Sequence, residues 1–209
     1  METRPFPTIP KFIPEDIEAQ KVLIEASYFS ADNDIHIQWE KARRPIALAI
    51  TKPGTILDFG CANSYLGRCL QEWTGLGKGL DVYGMDNQQA KIEESRELFP
   101  DTKDHFATTK DTDALNQFPK EFDYVYWNIW TELIKNWNDQ CRVIFDWLFN
   151  QVKPGGKIIL GFYKSNLEDT DSDKVINKLK EDGFDVQMVA DTEMTIVVSI
   201  VKQNPLPIA

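Results

Sequence analysis

Two histidines and three cysteines are all the imidazole and thiol metal ligands that this chain of 209 residues offers. The cysteines, Cys61, Cys69 and Cys141, have no CxxC spacing, so no metal centre is expected. Long apolar runs are also missing. None approaches the roughly 20 residues that span a bilayer. The opening Met1-Glu2-Thr3-Arg4-Pro5 lacks the apolar stretch of a signal peptide. A cytoplasmic protein with no membrane contact is expected. Positive charge is short too: 23 Lys and Arg stand against 33 Asp and Glu, a net charge of -10. So acidic a chain gains little from phosphate backbones, which disfavours a nucleic-acid partner. The one small basic cluster, Lys41, Arg43 and Arg44, is expected to be a solvated helix face.

What is present suits a globular protein, with 42% hydrophobic and 27% charged residues. The length fits one domain. Residues 1–50 read as an arm and helices packed on a core domain of residues 51–209. The arm is proline-rich and carries Phe6, Ile9 and Phe12. A helix from Pro14 or Glu15 puts Ala19, Val22, Leu23 and Ala26 on one face, and a second spans Ile35 to Arg44. Strands then alternate with helices. They are expected near Ile56-Leu57, Val82–Asp86, His105–Thr109, Phe122–Trp127 and Lys157–Phe162. A helix over Asp139–Gln151 is expected to turn Val143, Ile144, Trp147 and Leu148 inward. Lys153–Gly156 reads as a turn, Asn166–Asp173 as an acidic loop, and Gly183 as the cap of the helix between. Two closing strands, joined by a turn at Ala190–Glu193, must pair antiparallel. The fold class is α/β: a three-layer sandwich with helices on both faces of a mostly parallel seven-stranded sheet that ends in an antiparallel hairpin.

The chain is organised around Thr55-Ile56-Leu57-Asp58-Phe59-Gly60-Cys61-Ala62-Asn63-Ser64. A short buried strand ends in an acid, a glycine and small residues, and a helical pattern follows. Gly60 permits a sharp turn and close approach to a ligand. A carboxylate here would repel a pyrophosphate but suits a ligand bearing an ammonium group. Asp58, Gly60, Ala62 and Ser64 fall on motif I of the class I S-adenosylmethionine (SAM)-dependent methyltransferases, an acid followed by three alternating glycines, which this stretch resembles. Ala62 and Ser64 replace the second and third glycines. Ser64 could crowd the cofactor, or its hydroxyl could cap the first turn of the following helix, and the cap is the expected outcome.

That resemblance implies a strand order of 3-2-1-4-5-7-6, with SAM bound at the C-terminal ends of strands one and four. It implies that Asp58, Gly60 and Cys61 meet the methionine end of the cofactor, with Asn63 near the same turn. Asp86, ending the second strand beside Asn87, would accept from the ribose hydroxyls. Its replacement is expected to spare the fold. Asp111 is the adenine candidate, and Asn128, with Tyr126 and Trp127, faces the transferable methyl. These residues lack the Asn-Pro-Pro-aromatic motif of many amine-directed DNA methyltransferases. Trp39 and Arg44 read as core and solvated, although either could cover the cofactor. Tyr126, Tyr163 and Glu132 are candidate substrate-side groups. Trp127, Trp130 and Trp137 could wall a pocket or pack a lid. His105 lies at the wrong end of its strand to serve as a base. The reading is a SAM-dependent methyltransferase with S-adenosylhomocysteine (SAH) as product, a small-molecule acceptor and no assigned catalytic residue. The alternatives are a noncatalytic SAM-binding scaffold and an NAD-dependent oxidoreductase.

Overall fold

Alternation along the strands divides the core between the two sheet faces. In the computed structural model, which describes residues 13–30, 34–129, 133–134, 137–164 and 171–203, Ile56, Tyr124, Tyr126, Ile159 and Val197 join one buried cluster. Their chain neighbours Leu57, Val125, Trp127, Ile158, Leu160, Ile196 and Val198 join the other. Successive side chains point to opposite faces, so a sheet apolar at every position must be covered on both sides.

The strands are β1 (Gly54–Phe59), β2 (Leu80–Asp86), β3 (Phe106–Thr108), β4 (Phe122–Ile129), β5 (Val152–Tyr163), β6 (Val186–Asp191) and β7 (Thr195–Val201). Their order is β3-β2-β1-β4-β5-β7-β6, with β7 antiparallel to both neighbours. Helices α1 (Ile17–Ala26), α2 (Ile35–Arg43), α3 (Tyr65–Trp73) and α4 (Gln89–Leu98) contribute to the first cluster. Helices α6 (Asp139–Asn150) and α7 (Asp171–Glu181) contribute to the second, and the short α5 (Thr112–Leu115) follows β3.

Several local expectations are corrected. Helix α1 begins at Ile17, where the Asp16 carboxylate accepts from Glu18 N, and it buries Ile24 while Val22 is 65% exposed. On α6 the buried residues are Cys141, Phe145 and Leu148, whereas Val143 and Trp147 are exposed. That helix is apolar on more than one side, so docking on the sheet selects the face. Lys153–Gly156 lies within β5, not in a turn before it. Gly155 takes a φ of 76° and its N–H bonds Lys202 O, so the segment is held as an extension of the β5–β7 pairing. Asp171 and Asp173 open α7 rather than closing a loop. The β6–β7 turn sits later than expected, with Thr192 N bonding Thr195 O. Phe6, Ile9, Phe12, Trp130 and Glu132 lie outside the described residues. Among the described residues no helix is long and apolar enough to cross a membrane.

Candidate functional site

Strand order reverses between β1 and β4, since β2 and β3 lie on one side of β1 and β5 on the far side of β4. The connections there leave in opposite directions, the place where open α/β sheets form their ligand crevice at the C-terminal strand ends. Asp58 pairs in register with Tyr126 across this junction, and Asn128 lies two residues further along β4. Asp58 is 4% exposed. Burial pushes its carboxyl up to about 7, with the Arg43 guanidinium opposing and the Asp86 charge reinforcing that rise.

The turn after β1 is wound by alternate left-handed residues: Gly60 (φ 81°), Ala62 (φ 48°) and Ser64 (φ 57°). These are the three glycine positions of motif I. The backbone therefore keeps the glycine geometry at two residues that carry a Cβ. The expected cap by Ser64 does not form. Its left-handed backbone turns the fully buried hydroxyl toward α4, where it lies 2.9 Å from Ser95 Oγ, and no side-chain cap bond is made. Asn63 does that work, with Oδ1 accepting from Tyr65 N and Nδ2 donating to Leu23 O of α1.

A left-handed residue with a Cβ costs roughly 1–2 kcal/mol, and glycine returns about 0.5–1 of that as chain entropy. Ala62→Gly is therefore expected to stabilise the protein by about 0.5–1 kcal/mol, a Tm rise of roughly 1–4 °C by calorimetry. Ser64→Gly should gain less, because the bond to Ser95 is lost, although the single Ser95 O–H still has the Lys91 and Ala62 carbonyls within reach as acceptors. SAM affinity should barely move in either variant. A lower Tm for Ala62→Gly would show that its methyl packs better than its backbone strains.

Other sequence-derived candidates have definite neighbours. The N–H groups of Gly60 and Cys61 both donate to Met85 O, so any ligand contact from them falls to other atoms. The Cys61 thiol is pushed well up by burial and lies where a Cβ on Gly84 would stand, 2.7 Å from Sγ. The Asp86 carboxylate accepts from Ala62 N and from Gln88 N, each at 3.0 Å, tying β2 to the motif I turn. Asn87 is exposed. The Asp111 carboxylate caps α5 through Ala114 N. His105 stacks on Tyr83 with Nδ1 3.1 Å from Asp81 Oδ1, below the start of β3. Trp127 and Trp137 rings lie 6.2 Å apart.

Arg43 is the residue that the sequence reading placed wrongly. It does not lie on a solvated face. Its Nη1 donates to Asn128 Oδ1 at 2.9 Å, and its guanidinium stands 5.5–5.9 Å from the rings of Phe29, Trp39 and Tyr163. Trp39, four residues earlier, is buried and stacks with Tyr65. A residue one turn on from a core tryptophan shares its face, and that signal was available. Arg44 is the solvated one, paired with Glu40. The N-terminal helices thus reach the crevice three ways: Leu23 O to Asn63, the Tyr28 hydroxyl to Gln88 Oε1, and Arg43 to Asn128.

No protein-family model and no curated protein matches the chain. Solved structures do. DhpI, solved in complex with SAH, is 17% identical, with a TM-score of 0.58, over 90% of this chain and 98% of its own. The precorrin-6y C5,15-methyltransferase of Geobacter metallireducens GS-15 is 15% identical, with a TM-score of 0.51, over 83% and 93%. The ribosomal protein L11 methylase of Lactobacillus delbrueckii subsp. bulgaricus is 18% identical, with a TM-score of 0.54, over 81% and 80%. The chain has the class I methyltransferase fold.

The fold implies SAM as the ligand to test at the C-terminal ends of β1 and β4, and the residues there are chemically compatible with it. An ionised carboxylate has about four acceptor sites; Asp86 has two engaged by backbone N–H groups, leaving acceptors for vicinal hydroxyls. Asp58 supplies a buried carboxylate for an ammonium. The Ser64 side chain is turned to Ser95 of α4, so its hydroxyl is engaged there.

Proposed function

We propose that this chain is a SAM-dependent methyltransferase acting on a small molecule. The observation that carries the reading is the placement of two buried acids, Asp58 and Asp86, at the C-terminal ends of the adjacent parallel strands β1 and β2, around a left-handed turn at the strand-order reversal. Asp86 would hold the ribose, Asp58 the amino group, and Asn128 would stand nearest the transferred methyl. When bound, the cofactor supplies a methyl already activated by its sulfonium. The protein then has to align the acceptor and exclude water.

The side chains suit that task. Tyr126 is 1% exposed, and burial pushes its hydroxyl up to about 12, so it stays protonated and acts as a donor rather than a base. A base is required only for an acceptor that must lose a proton. The net charge of -10 favours a small acceptor over nucleic acid. The antiparallel β6–β7 end speaks against a nicotinamide-dependent oxidoreductase.

Thermal melting with SAM, SAH and NAD tests the reading. A ligand at about 100 times its Kd stabilises by about 2.7 kcal/mol, a Tm rise of roughly 5–10 °C for a chain of this size. SAM and SAH should give it and NAD should not. A rise with NAD alone would sink the proposal. Release of SAH from SAM in the presence of small amines, hydroxyls or thiols would then separate enzyme from scaffold.

A further inference from the structure

We propose that Arg43 takes the α-carboxylate of the cofactor's methionine portion while Asp58, beside it, takes the α-ammonium. The inference rests on the SAM reading above and assigns a residue of α2 that motif comparison does not reach.

Three observations carry it. First, Arg43 is drawn from the N-terminal helices into the crevice, where Nη1 is fixed by Asn128 Oδ1 and three aromatic rings surround the guanidinium. Second, its Nε is buried and has no hydrogen-bond partner among the described residues. Buried donors without acceptors are rare in native proteins, and such an atom marks a place for one. Third, Asp58 stands in register with Tyr126, two residues before the Asn128 that Arg43 holds, so the carboxylate and the anchor of the guanidinium lie on the same face of neighbouring strands, and the Arg43 charge acts on the Asp58 carboxyl. An α-amino acid carries its ammonium and carboxylate on one carbon, and an adjacent carboxylate and guanidinium match that pair with opposite signs. The planar fork of arginine suits two carboxylate oxygens better than the point charge of lysine does. An anionic acceptor would satisfy Arg43 but would leave Asp58 facing it unfavourably.

Calorimetric titration with SAM and with decarboxylated SAM, which keeps the ammonium and sulfonium and lacks only the carboxylate, isolates the contact. The wild type should prefer SAM by about 10- to 100-fold, the range of a charge-assisted hydrogen-bonded pair. In Arg43→Gln that preference should fall to within about 3-fold, with affinity for the decarboxylated ligand nearly unchanged. Arg43→Lys, which keeps the charge and protects the fold if the glutamine variant is unstable, should retain part of the preference. An undiminished preference in either folded variant would overturn the assignment. An equal loss for both ligands would do so as well, and would make Arg43 a positioning residue for Asn128. If neither ligand binds the wild type, the SAM reading itself fails and takes this inference with it.

Discussion

Asp58→Asn is expected to make the ligand-free protein more stable at pH 8 and to abolish most of its affinity for SAM. The carboxyl of Asp58 is held near 7 by burial, against an ordinary 3.8. The folded state therefore binds a proton that the unfolded chain has released between those values. Stability from this group is fully present below about 3.8 and is lost as pH rises through about 7. The Asn variant cannot ionise, so its advantage should be small at pH 4, grow to pH 7 and level off above. The displacement sets an upper bound of about 4 kcal/mol on the gap, or roughly 8–16 °C in Tm. Binding should move the other way, because the ammonium loses its anion. Melting curves across pH, with SAM titration at pH 8, read both. A variant no more stable than wild type at pH 8 would mean that Arg43 already balances the ionised carboxylate.

Asp86→Ala is expected to cost both ligand and fold. As a strand-end acid Asp86 looked replaceable, but its two oxygens hold the N–H groups of Ala62 and Gln88. Hydrogen bonds to charged groups are worth about 1.5–3 kcal/mol each. Removing both should lower stability by roughly 3–6 kcal/mol, read as a lower urea midpoint. The loss of acceptors for the ribose should weaken SAM by about 1.5–3 kcal/mol. Asp86→Asn keeps an acceptor for one N–H and should fall between in stability. Wild-type stability in the alanine variant would show that water replaces both bonds.

Much of the architecture was legible because it depends on periodicity. Strands apolar on both faces and separated by helical patterns imply a parallel sheet covered on two sides, and two closing strands joined by a short turn can only pair antiparallel. Strand order was legible only through likeness to known methyltransferases. Helix faces were harder. On α6 several faces are apolar, and Val143 and Trp147 ended outside because Cys141, Phe145 and Leu148 fit the sheet. The glycine run Gly155-Gly156 looked like a turn, yet β7 lay within reach to extend the pairing.

The sequence alone determined which chemistry could collect at the crevice: an acid closing β1, another closing β2, a small-residue turn between, and few basic residues elsewhere. These follow from residue type and order along the chain. Tertiary structure decided how each group is used. It made Ser64 a partner of Ser95 and gave the capping to Asn63, because a left-handed backbone aims a side chain where no helix-cap pattern predicts. It made Asp86 a brace as well as a candidate acceptor. It also brought Arg43 to Asn128 across 85 residues of chain. Such a contact depends on how α2 docks over the sheet, and no local pattern of spacing encodes that.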